Sequence, residues 1–113
     1  MKDLKREIFL EVILMLYLIM TLAFFWKNNL VCSLLIIAGL CFTFIIRSNK
    51  ADGLSFLAGA VIGSLGEIIV VNSGAWNYSN PTIAGIPLWL PLAWAMTCVL
   101  IYRFGETASK FKE

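Results

Sequence analysis

Histidine is absent from this 113-residue chain, and cysteine is limited to Cys32, Cys41 and Cys98. An odd number of dispersed cysteines inside apolar runs is neither a disulfide framework nor a metal signature. They read as small packing residues. Without histidine, a zinc site or a Ser-His or Cys-His nucleophilic pair within the chain is effectively excluded, so neither metal nor cofactor is expected. Charge is scarce as well: 14% of residues are charged and the net charge is +2. So small a charge, with no basic cluster at a recognised motif spacing, argues against a nucleic-acid partner. Internal repeats and low-complexity segments are lacking too.

Apolar residues fill the space these absences leave. They make up 60% of the chain, with a mean hydropathy of +0.86. A soluble domain sits nearer 45–50% apolar and about 25% charged, and so small a chain cannot bury the excess in one core. Four apolar segments stand out, at about residues 8–26, 30–46, 54–71 and 86–102. Each is close to the roughly 20 residues that cross about 30 Å of hydrocarbon. Backbone groups in lipid must be paired internally, which predicts helices. The fold class expected is therefore all-α: a single four-helix transmembrane bundle, integral to the cell membrane (the plasma membrane if the source is prokaryotic). The first two connections are short, so consecutive helices should be antiparallel neighbours. The first segment is read as a retained helix and not a signal peptide, because its apolar run is long and no Ala-x-Ala-like site follows.

Charge position predicts orientation. Lys2, Lys5 and Arg6 precede the first segment, Arg47 and Lys50 lie between the second and third, and Arg103, Lys110 and Lys112 follow the fourth. Only Lys27 of the nine basic residues lies on the other side, which puts both termini in the cytoplasm. Trp26, Trp76, Tyr78 and Trp89 then fall near the outer interface, where amphipathic rings are favoured.

The third segment carries the most informative residue. Ser55, Gly59, Gly63 and Glu67 are spaced by four and share one helical face, bordered by Gly66. Gly59 and Gly63 form a G-x-x-x-G pair, which lets another helix approach closely. That face is expected to pack within the bundle, or against a second copy or another membrane protein. Glu67 lies on it, roughly 20 Å along from Leu54 and toward the outer leaflet. An ionisable residue inside a span is a functional candidate by default. Two readings are open: a structural tether to Asn72, Tyr78 or backbone groups, or a site residue acting as acid, base or cation partner. Glu11, early in the first segment, is expected close to the cytoplasmic headgroups with Lys5 or Arg6 in reach, favoured there by the helix dipole.

Between the third and fourth segments, residues 72–85 form an uncharged aromatic loop. Asn72-Ser73-Gly74 suits a helix end, and Pro81 biases the residue before it toward extended backbone. The loop is polar enough to pack back on the bundle as a lid. Pro87 and Pro91 are four apart at the start of the fourth segment. Pro87 suits a first turn, whereas Pro91 would kink the helix if it lay deeper. Trp94 is roughly 12 Å from Ile86 along the helix, a depth comparable with that of Glu67. A pocket open toward the outer leaflet follows, with Glu67 as candidate acid/base. Asn72, Trp76, Asn77, Tyr78, Trp89 and Trp94 would be its ligand-binding walls.

Gly66-Glu67, Gly74-Ala75-Trp76-Asn77-Tyr78 and the run from Gly85 to Trp94 resemble a pattern in carotenoid-biosynthesis membrane proteins, the group that includes bacterioruberin-pathway hydratases. The resemblance covers about a quarter of the chain, and those hydratases are longer, with more spans. It implies a protein that handles a long isoprenoid and marks Glu67, Trp76, Tyr78, Pro87, Trp89 and Trp94. It assigns none of them a catalytic role. Small multidrug-resistance transporters are similar in length, helix number and possession of an embedded glutamate. Theirs is in the first helix, where this chain has Glu11, and they often lack the strong charge bias seen here.

Three functions are therefore expected to compete. The first is binding or modification of a lipophilic, isoprenoid-like molecule. The second is transport of a small solute or cation with Glu67 as the coupling carboxylate. The third is a non-catalytic subunit that docks a partner or forms a homo-oligomer through Gly59 and Gly63. Membrane lipids are partners in all three.

Overall fold

A computed structural model describes residues 2–111, with side chains from Leu4 onward. The side chains of Lys2 and Lys112, both used in the charge bias, lie outside it. Four helices follow in order: α1 Lys2–Phe25, α2 Asn29–Ile46, α3 Lys50–Asn72 and α4 Trp89–Ser109. No strand is present among the described residues; Ile83 and Ile86 form one isolated bridge in the loop.

Local chemistry sets the helix starts. Asn28 caps α2 by accepting from the Val31 amide at 3.0 Å. Asn49 and Asp52 form a reciprocal capping box at the start of α3, satisfying two otherwise orphaned donors. Within α3, Gly59–Gly63 forms a π turn between Lys50–Ala58 and Ser64–Asn72. Such turns locally widen the helix and recur at functional sites.

α4 packs on α1, α2 and α3 and supplies much of the core. Ala95, Met96 and Val99 are fully buried beside Leu18, Ile36 and Cys32. The outer helices have the opposite character. In the apolar windows of α1, α2 and α3, only 22%, 33% and 11% of residues are buried. Phe9, Phe24, Leu30, Ile45, Ile62 and Ile69 all point outward. Contiguous apolar surface on this scale is foreign to soluble monomers, and these three helices are long and apolar enough to cross a membrane. α4 is interrupted by Arg103 and Glu106 and falls outside that group. Its neighbours are protein, so it has less need of an apolar exterior.

The bounds differ from the sequence expectation in two useful ways. α3 begins four residues earlier than Leu54, because the Asn49–Asp52 box nucleates it. α4 begins at Trp89, so Pro87 precedes the helix and Pro91 falls in its first turn, where the missing N–H costs no hydrogen bond and no kink is required. Glu11 also differs. It is 7% exposed and accepts from the Thr107 hydroxyl at 3.2 Å instead of meeting Lys5 or Arg6 near the headgroups.

Candidate functional site

Glycine sets the spacing between α3 and α4. A Cβ at Gly59 would lie 2.5 Å from the Trp94 carbonyl oxygen, and one at Gly63 would lie 2.5 Å from the Trp94 ring. The two glycines therefore bring α3 against Trp94 and Cys98 of the same chain, and this face is filled from within the monomer. Ser55 is half-buried on the same side. Gly66 is different: a Cβ there would meet nothing within 4 Å.

The open space at Gly66 belongs to a groove of about 490 Å³ between α3 and α4, bordered by Ile62, Glu67, Trp76, Trp94 and Cys98. Glu67 is half-buried on its wall. The Tyr78 hydroxyl donates to Glu67 Oε1 at 2.8 Å, and Trp94 Nε1–H donates to Oε2 at 3.3 Å. An indole N–H only donates, whereas a phenol can donate or accept. Oε2 thus accepts from the indole and Oε1 from the phenol, so each carboxyl oxygen of Glu67 has a donor. Burial and the adjacent Glu67 carboxylate push the Tyr78 hydroxyl up to about 12, so the phenol keeps its proton and donates it at neutral pH.

The loop is fixed to the bundle. Asn80 Nδ2 donates to the Trp26 carbonyl at 2.6 Å and to Asn29 Oδ1 at 2.7 Å. Asn29 Nδ2 donates back to the Asn80 carbonyl at 3.0 Å and to Thr82 Oγ1 at 3.1 Å. Gly74 and Gly85 take the positive φ values (93° and 87°) that let the loop turn and return. Tyr78 is held over Glu67 by this frame and by an edge-on contact with Trp89, centroids 6.2 Å apart.

The expected site residues therefore separate. Glu67, Trp76, Tyr78 and Trp94 come together, with Gly63 and Gly66 forming the floor. Trp89 is buried behind Tyr78, and its Nε1–H goes to the Trp26 carbonyl at 3.2 Å, away from the groove. Asn72 is exposed and bonds the Ile68 carbonyl of its own helix at 2.7 Å. Asn77 is exposed. Cys98 enters the groove unforeseen. Its spacing of four from Trp94 was the available signal.

A second polar cluster, at the opposite end of the bundle, escaped the sequence reading. Arg103, 2% exposed, forms a bidentate pair with the fully buried Asp52, both contacts at 3.1 Å. It also donates to the carbonyls of Thr43 at 3.0 Å and Arg47 at 2.6 Å. Arg47 reaches Asp52 at 3.0 Å and Glu106 at 2.8 Å. Burial alone would lower the Arg47 guanidinium, but these two carboxylates hold it above its ordinary value. The cluster ties the α2–α3 turn to α4. Among the described residues, no group of histidine, cysteine and carboxylate side chains could hold a metal ion.

Comparison with known protein families, with characterised proteins and with solved structures finds no match.

Proposed function

We propose that the chain is an integral membrane protein whose α3–α4 groove binds or modifies a lipophilic, isoprenoid-like small molecule. All four helices span the membrane in this reading, with both termini in the cytoplasm and the groove toward the outer leaflet of the cell membrane. The 8-to-1 division of basic residues supports that orientation. The observation that carries the reading is one carboxylate, Glu67, held by Tyr78 and Trp94 on the wall of an otherwise apolar groove. Largely apolar pockets with a few convergent polar groups are the usual form of a small-molecule site. Glu67 orients the polar end of the ligand or exchanges a proton with it, and the glycine floor accepts its hydrocarbon.

A second reading, transport of a small cation with Glu67 as the coupling group, draws support from the Trp76 and Trp94 rings beside that carboxylate, since aromatic faces attract cations. Glu67→Gln separates the two. Lipophilic material extracted from gently solubilised wild-type protein should contain one compound besides membrane phospholipid, and the variant should still bind that compound while losing any conversion of it. Loss of proton-coupled solute uptake by proteoliposomes, with no compound recovered from wild type, would instead favour transport.

A further inference from the structure

At the end of the bundle away from the loop, a second cavity of about 280 Å³ is bordered by Arg6, Glu7, Glu11, Arg47 and Arg103. Glu11 also borders an adjoining cavity of about 240 Å³, otherwise lined by Val12, Met15, Leu16, Leu100, Ile101 and Phe104. One carboxylate thus stands between a charged space and a hydrocarbon-lined one.

The charged space is short of hydrogen-bond donors. Glu11 is 7% exposed, and its buried Oε1 has no hydrogen-bond partner. The fully buried Thr107 hydroxyl lies 3.3 Å from Glu7 Oε1 and 3.2 Å from Glu11 Oε2. A hydroxyl carries one hydrogen, so it serves one carboxylate at a time. A buried acceptor left without a donor is destabilising. The neighbouring arginines do not make up the deficit. Arg103 is engaged by Asp52 and two carbonyls, and Arg47 by Asp52 and Glu106. Arg6 is exposed and makes no ion pair among the described residues.

This combination discriminates between ligand classes. A simple cation meets three guanidinium groups, and a simple anion meets two carboxylates. A zwitterion carrying an ammonium and a phosphate suits both, because Arg6 binds phosphate and the carboxylates take the ammonium. What the carboxylates lack is hydrogen. A primary ammonium offers three N–H donors, whereas a trimethylammonium offers none. The adjoining apolar cavity takes hydrocarbon. We propose that this cavity binds a phosphoethanolamine-headed membrane lipid, with its ammonium on Glu7 and Glu11, its phosphate at Arg6 and an acyl chain in the apolar cavity.

The site is separate from the Glu67 groove, and its test is independent of that reading. Thermal unfolding of the full chain in detergent is followed while phosphatidylethanolamine, phosphatidylcholine or phosphatidylglycerol with the same acyl chains is added. A ligand that binds the folded state raises Tm by mass action. Phosphatidylethanolamine should act at about tenfold lower concentration than phosphatidylcholine, the effect of one charge-assisted hydrogen bond. Glu11→Gln should abolish that preference. Arg6→Gln should weaken both lipids while keeping their ratio. Equal action of the two lipids on wild type, or a preference that survives Glu11→Gln, would overturn the proposal. If Glu11→Gln does not fold, stepwise N-methylation of the lipid tests the same contact on wild type. Affinity should fall with each methyl, and an unchanged response would overturn the assignment. Water-soluble phosphoethanolamine should act far more weakly than the lipid; equal potency would overturn the acyl-chain placement.

Discussion

Gly63 and Gly66 lie three residues apart on one helix and should respond oppositely to substitution. A Cβ at Gly63 meets the Trp94 ring at 2.5 Å, and one at Gly66 meets nothing within 4 Å. Gly63→Ala should therefore destabilise the fold by about 1–3 kcal/mol, the usual cost of overpacking. Gly66→Ala should be neutral or slightly stabilising, since alanine is the better helix former. Unfolding of both variants in mixed detergent checks the contrast. Tyr78 gives a second test at this scale. Its hydroxyl lies at about 12 against an ordinary value of 10.0. Because the folded value is raised, its contribution to stability is complete below pH 10 and declines as pH rises toward 12. The phenolate absorbance present in wild type and missing from Tyr78→Phe should titrate near pH 12. In Glu67→Gln that midpoint should fall only part of the way to 10, because burial is the larger cause. A wild-type midpoint near 10 would show that Tyr78 does not face a carboxylate.

At the scale of elements, the outer helices could be read directly from the sequence, because an apolar run and a short polar turn fix α1, α2 and α3 with little need of tertiary context. α4 required more. Trp89, Ala93, Met96, Leu100, Arg103 and Thr107 recur every three or four residues, and all are buried. That periodicity is available in the sequence, but a positive charge at a span end reads first as an orientation signal, and in the sequence Arg103 figures only as part of the cytoplasmic charge bias. Its buried partner Asp52 was hidden for a similar reason, since an aspartate after Asn49 in a short polar turn looks like connection. Breaking a buried pair while leaving one partner behind costs about 3–5 kcal/mol. Arg103→Met should lose stability on that scale, and the double variant Arg103→Met/Asp52→Asn should lose less than the sum of the single losses. Additive losses in denaturant unfolding would mean that the pair is not coupled. The loop had the same limit. Trp94 could be placed level with Glu67 from helix rise and Tyr78 offered as one of its partners, but the position of the loop depends on Asn80 reaching Asn29, a contact 51 residues apart in the chain.

For the whole molecule, the distribution of polarity is the organising fact. Two hydrogen-bonded polar clusters, around Glu67 and around Arg103, lie toward opposite ends of an elongated bundle measuring 46 × 25 × 22 Å. The three outer helices expose apolar surface over most of their length. Hydrocarbon surroundings stabilise that arrangement and water does not. A ligand of the α3–α4 groove, as proposed, would enter from the lipid phase, because the groove is bordered mostly by apolar residues. Native mass spectrometry of the solubilised chain, wild type beside Gly66→Leu, tests this most directly. Apart from any phospholipid held at the Glu11 site, wild type should carry one lipophilic adduct of discrete mass per chain, and Gly66→Leu, with the groove floor filled, should be folded and lack that mass. A bare wild-type chain, or the same adduct at the same occupancy in both proteins, would contradict the assignment of the groove as a binding site.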